Sequence, residues 1–196
     1  MGHLVIVIVV LGLGLAYSLQ KTWREVRSLR DRSATELAQL HSYLAGRHLI
    51  VSHLSDSLPE SFDGHFDREQ LVQAREQAER ALHAIDPAWP IASEVRVFAG
   101  HEQDLLQWIE NLTGKIEEVE SVRDIQPVSG CLAGLKESNK KIDVAISTYN
   151  AAAITYNTYL ERPVASLLSR FSLSGEFGVI DLSPKVSVVL RRDPGL

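Results

Sequence analysis

Apolar residues return every three or four positions through most of this chain, and the phase of that return predicts four helices. Val26, Leu29, Ser33, Leu37, Leu40, Leu44, Arg47, Val51, Leu54 and Leu58 form the first seam. Leu71, Ala74, Ala78, Ala81, Leu82 and Ile85 form the second, whose small residues let a neighbouring backbone come close. Ile91, Val95, Phe98, Glu102, Leu105, Ile109, Leu112, Ile116 and Val119 form the third, with Trp108 covering its edge. Leu135, Asn139, Ile142, Ile146, Tyr149, Ala153, Tyr156 and Leu160 form the fourth. This rhythm is that of helices packed on other helices.

Proline and glycine separate the seams at Leu58-Pro59, at Asp86-Pro87-Ala88-Trp89-Pro90 and at Gln126-Pro127-Val128-Ser129-Gly130, while Pro163 interrupts the fourth near its end. Helices are therefore expected over about 21–58, 67–85, 91–124 and 132–170. The second has a legible start, because Asp67 can cap it, Gln70 stands at the capping-box position, and Phe66 with Leu71 has the spacing of a hydrophobic staple. Short connections favour an elongated antiparallel four-helix bundle over 21–171. The remainder, 172–196, reads as a short irregular or β-prone tail, with Phe177-Gly178-Val179-Ile180 and Val186-Ser187-Val188-Val189-Leu190 able to dock on the bundle or pair as a hairpin.

Ahead of the first seam the pattern changes. From Leu4 to Ala16 every residue is apolar or glycine, and Lys21, Arg24, Arg27, Arg30 and Arg32 follow at once. Met1 to Leu19 just meets the roughly 20 apolar residues that a helix needs to cross a bilayer. A single transmembrane anchor over 1–20 is expected, running straight on into the first bundle helix. A cleaved signal peptide fits less well, since no positive stretch precedes the apolar core and Leu15-Ala16-Tyr17 is a poor cleavage site. Lys and Arg stay on the cytoplasmic side of a span, so the short amino terminus should face outward and the bundle the cytoplasm. The fold class expected is all-α.

Composition narrows the functional classes. Of 196 residues 45% are hydrophobic and 23% charged, a globular balance. The net charge of −5 despite the basic collar leaves the distal domain acidic, which argues against nucleic-acid binding. Cys131 is the single cysteine, so no internal disulfide can form.

Candidate chemistry is sparse. Tyr149-Asn150 recurs as Tyr156-Asn157 on one helical face, and these residues are read first as packing and register elements, with ligand binding as the alternative. Arg47, Glu102 and Asn139 are polar residues inside apolar seams, and such groups often fix register. Their phase places Arg47 and Glu102 face to face near mid-bundle. His101-Glu102 begins like a zincin helix, but Leu105 stands where the second histidine would be. No segment contains Glu-x-x-His, so a di-metal bundle is not supported, and no metal ligand or cofactor is expected. Asp63-Gly64-His65-Phe66-Asp67 reads as a turn plus cap rather than a calcium loop. There is no Gly-x-Ser-x-Gly elbow, phosphate-cradling loop or dinucleotide fingerprint, so no catalytic residue is assigned.

Tyr149-Asn150, Tyr156-Asn157, Pro163, Phe171-Ser172-Leu173 and Phe177, at the carboxyl end of an amino-terminally anchored helical chain, resemble the LemA family of bacterial membrane proteins. Leu44 to Ile50 and Ala74-Arg75 are more loosely similar to earlier stretches of that family. The resemblance implies a divergent member: a single-pass protein with a short outer terminus and an antiparallel helical bundle inside, and no catalytic residues. The function expected is that of a non-enzymatic protein-interaction or scaffold element of the bacterial envelope. Its partners would be the membrane, unidentified envelope proteins and, through the long seams, other copies of itself. The alternative is a metal-binding or enzymatic bundle using His41, His48, Glu79 and His83.

Overall fold

The computed structural model describes residues 2–62, 64, 66–166 and 175–182, leaving aside the side chains at positions 2, 4, 5, 7 and 8. Within these residues the protein is all-helical. Helix α1 spans Gly2–Ser57, α2 Arg68–Ala84, α3 Ala92–Glu118, the short α4 Glu120–Arg123 and α5 Gln126–Leu160, and a 3-10 turn Glu60–Phe62 links α1 to α2. The expected pieces Phe171-Ser172-Leu173 and Val186 to Leu190, and Asp63 and His65 of the polar loop, lie outside the described residues.

The seams are buried or partly buried faces except at Ile91, expected to open the third seam, which caps α3 and is exposed. Leu37, Leu40, Leu44, Leu82, Ile85, Val95, Phe98, Ile142, Tyr149 and Tyr156 belong to one core cluster. Val51, Leu54, Leu71, Ala78, Leu105, Leu112, Val128 and Leu135 belong to a second. Each long helix passes from one cluster to the other, and consecutive long helices do so in opposite directions. The result is an up-down-up-down bundle in which α1 lies chiefly on α5 and α2 on α3. Removing these side chains from water is the main stabilising term.

Local chemistry sets the helix ends. The Asp67 carboxylate accepts the Gln70 backbone N–H at 3.1 Å, and Phe66 and Leu71 are both buried behind that cap. Helix α5 begins at Gln126 rather than 132 because Pro127 sits in its first turn, where a missing N–H costs nothing and the fixed φ suits a helix. The third helix, expected to reach 124, breaks at Val119 (φ −111°, ψ 89°) before α4, which turns Val122 into the core. The fourth stops at Leu160, short of 170: Pro163 disfavours helical geometry at the residue before it. Residues 163–166 are helical again.

Two expectations divide. Of the two forms expected for the tail, Phe177 to Ile180 docks on the bundle, and its one β feature among the described residues is an isolated antiparallel bridge between Ile91 and Phe177, while Val186 to Leu190 lie outside the described residues. Helix α1 does run on without a break through 56 residues from the amino-terminal run. Among the described residues, however, no helix is long and apolar enough to cross a membrane; of the apolar run, the side chains at 4, 5, 7 and 8 fall outside that description. The described part of this stretch touches little else. Ile6, Leu11 and Tyr17 are 61%, 68% and 70% exposed, and the first buried residue is Val26.

Candidate functional site

The Tyr-Asn repeat of α5 holds the tail residues Phe177 to Ile180. Asn150 and Asn157 are two helical turns apart, a rise of about 10.5 Å. Phe177 and Ile180 are three extended residues apart, about 10 Å. The two periods coincide, and each asparagine takes one residue. The Asn157 carboxamide donates to the Phe177 carbonyl at 2.9 Å and accepts the Phe177 N–H at 2.9 Å. Asn150 does the same with Ile180, at 2.7 and 2.9 Å. An extended residue presents its N–H and C=O on one side, and a carboxamide matches both as a neighbouring strand would.

The tyrosines complete the groove. The Tyr149 hydroxyl donates to the Gly178 carbonyl at 2.7 Å, and burial pushes its pKa upward, which keeps the donor protonated. Tyr156 stacks on the Phe177 ring with centroids 4.3 Å apart, and Trp89 meets that ring edge-on at 6.0 Å. Phe177 and Ile180 are buried, whereas Val179 between them faces solvent.

The opposite wall comes from the turn before α3 and from α3 itself. Asp86 shapes that turn, its side chain accepting the Ala88 N–H at 2.9 Å and its carbonyl the Trp89 N–H at 2.9 Å. The turn offers the Pro90 carbonyl to the Gly178 N–H at 3.1 Å. Gln103 donates to the Asp181 carbonyl at 2.9 Å. Gly178 passes so close to α3 that a Cβ placed on it would lie 2.6 Å from the Val95 Cβ and 2.9 Å from the Ala92 Cα. Only glycine fits there.

Arg47 and Glu102, expected to face each other, form a fully buried ion pair between α1 and α3. His48 joins them, its Nε2 2.7 Å from Glu102 Oε1. Burial pulls the Arg47 pKa down, while Glu102 and then Asp143 push it up. Arg47 Nε, His48 Nδ1 and the Asn139 Oδ1 of α5 are buried and find no hydrogen-bond partner among the described residues. One buried carboxylate is thus shared by Arg47 and His48, linking α1 to α3 across the bundle.

The four residues of the metal alternative are divided. His41 and His83 meet edge to face with centroids 5.2 Å apart. Burial, then His83 and His48, lower the His41 pKa. His48 is engaged by Glu102, and Glu79 by Arg75 at 3.0 Å. Among the described residues no group of three or more His, Cys, Asp and Glu is placed to hold a metal ion. Cys131 is half-buried and its thiol pKa is raised by that burial.

Sequence reasoning named the repeat but not its partner, and it missed Trp89, Pro90, Gln103 and Gly178 as groove residues. The available signal was the match between a seven-residue helical spacing and a three-residue extended spacing around a glycine. No protein-family model, curated protein or solved structure matches the chain.

Proposed function

We propose that the protein is a non-enzymatic, LemA-like helical bundle anchored in the bacterial cell membrane by residues 1–20, with its short amino terminus outside and its bundle in the cytoplasm, serving as an interaction or scaffold element of the envelope. The observation that carries this reading is the bare apolar stretch of α1. Its exposed side chains at Ile6 and from Val9 to Tyr17 are continuous with the bundle and are left uncovered by the rest of the described chain. A contiguous apolar surface of this kind marks a membrane or protein contact. Lys21, Arg24, Arg27 and Arg30 flank it beside the half-exposed Trp23, a combination that favours a cytoplasmic bilayer interface.

Fractionation tests the reading. The full chain expressed in bacteria is expected in the membrane pellet after alkaline extraction, and a protease added outside intact cells should leave the bundle whole. Recovery of the full chain in the alkaline supernatant, or digestion of the bundle from outside, would refute it. The metal-binding alternative draws on the adjacent imidazoles of His41 and His83. Elemental analysis of purified protein is expected to find no stoichiometric iron, manganese or zinc.

A further inference from the structure

We infer that one face of α1 just past the apolar run, formed by Trp23, Val26, Arg27 and Arg30, is a binding site for the headgroup of an anionic phospholipid in the leaflet beside it. The inference deepens the membrane reading proposed above by naming a ligand, and it rests on that reading.

Three observations carry it. The first is a cavity of about 220 Å³ that these four residues line. At 3.6 residues per turn they fall within an arc of about 100°, so their side chains meet on one face of α1. The second is the order of the chemistry along the axis. Nearest the apolar run stand the half-exposed Trp23 and the buried Val26, and the two arginines follow. An apolar floor on the bilayer side beneath a cationic rim matches the polarity of a phospholipid, acyl chains below and phosphate above. A free phosphate would make no use of the floor. With residues 1–20 in the membrane, Trp23 stands about 5 Å and Arg27 about 10 Å beyond the boundary, beside a headgroup layer about 5–8 Å deep. Side chains on a helix lean toward its amino terminus, which brings both guanidinium groups back toward the bilayer.

The third observation is charge. Arg27 Nε and Arg30 Nη2 share one carboxylate, that of Asp31, at 3.9 and 3.3 Å, and the carboxylate is exposed. Two guanidinium groups against one carboxylate leave a positive charge over, and exposed pairs of this kind are weak enough for a phosphate to join them. The other acid between Lys21 and Arg32, Glu25, bonds instead with the Tyr159 hydroxyl of α5. Arginine presents its N–H groups as a planar fork that fits phosphate oxygens in pairs.

The test is native mass spectrometry of the full chain in detergent micelles, titrated with phosphatidylglycerol or with phosphatidylcholine as the neutral probe. One phosphatidylglycerol should be retained saturably, and phosphatidylcholine about tenfold or more weakly. Arg27→Gln with Arg30→Gln should weaken phosphatidylglycerol by about tenfold or more. Lys21→Gln with Arg32→Gln removes the same charge from the opposite side of α1 and should change binding by less than about threefold. Equal losses in the two variants, or equal retention of the two lipids, overturns the site. Competition by millimolar inorganic phosphate assigns it to a free anion and overturns the lipid as its source. If the arginine variant loses its helical circular dichroism, a photoactivatable phosphatidylglycerol added to the unaltered chain decides. Adducts within residues 23–30 support the site, and adducts confined to other segments refute it. Alkaline extraction of the unaltered chain reads the anchor separately: failure of the site leaves that chain in the membrane pellet, whereas failure of the anchor releases it.

Discussion

At the residue scale, two carboxamides and one carboxylate each join two polar groups supplied by another element. Replacing Asn157 by Ala strands the partly buried N–H and C=O of Phe177, and the loss of two hydrogen bonds should cost about 1–3 kcal/mol in chemical denaturation. Glu102→Leu leaves Arg47 and His48 buried without their anion and should cost about 3–5 kcal/mol, while the double variant Arg47→Met with Glu102→Leu should recover part of that loss. A double variant no more stable than Glu102→Leu would mean that Arg47 is not what the carboxylate compensates. The half-buried His41 supplies a pH dependence. Its folded pKa is lowered, so the unfolded chain takes up its proton first. Its contribution is therefore complete above 6.5 and is lost as pH falls through that value toward the folded pKa. Melting temperature should decline on acidification below 6.5, with a shallower slope in His41→Gln. Seam phase alone was enough to bring Arg47 and Glu102 together in the sequence reading, because a helix repeats and a polar residue in phase must point inward. The third member, His48, was hidden: it neighbours Arg47 in sequence, lies off the seam, and is buried beside the second oxygen of Glu102.

At the scale of elements, periodicity located each long helix and composition misplaced some of their ends. Pro127 and Gly130 look like a break when counted as residue types, yet a proline in the first turn of a helix is an initiator. The segment 175–182 was the least legible part. It is short and has no repeat of its own, and its conformation is dictated by asparagines about 20 and 30 residues upstream. Its β-prone residues did signal an extended backbone, but the partner they find is a helix. Gly178→Ala tests that docking, since the added methyl group must displace Val95 or the α3 backbone. The expected result is faster amide exchange at Phe177 and Ile180, with protection in the second cluster around Leu54 and Leu112 unchanged; equal protection at Phe177 in both proteins would show that the close approach is not required.

For the whole molecule, the two core clusters divide the work along the bundle's length. Among the described tail residues, Phe177, Ile180 and Leu182 reinforce the one built around Tyr149 and Tyr156. Among the described side chains, removing residues 1–20 touches none that is buried, the first being Val26. The shortened chain should therefore stay in solution with its helical circular dichroism and melting temperature preserved, whereas removing everything from residue 175 onward should lower the melting temperature. A shortened chain that unfolds would show that the amino-terminal stretch contributes to the bundle itself.

The unbroken course of α1 makes it a torsionally stiff shaft. A single residue inserted between Gln20 and Val26 would swing everything before it by about 100° around the axis relative to the bundle, and four inserted residues would bring it nearly back into phase. Whatever meets the exposed side chains of Ile6 and of Val9 to Tyr17 therefore sets the compass bearing at which the rest of the protein points.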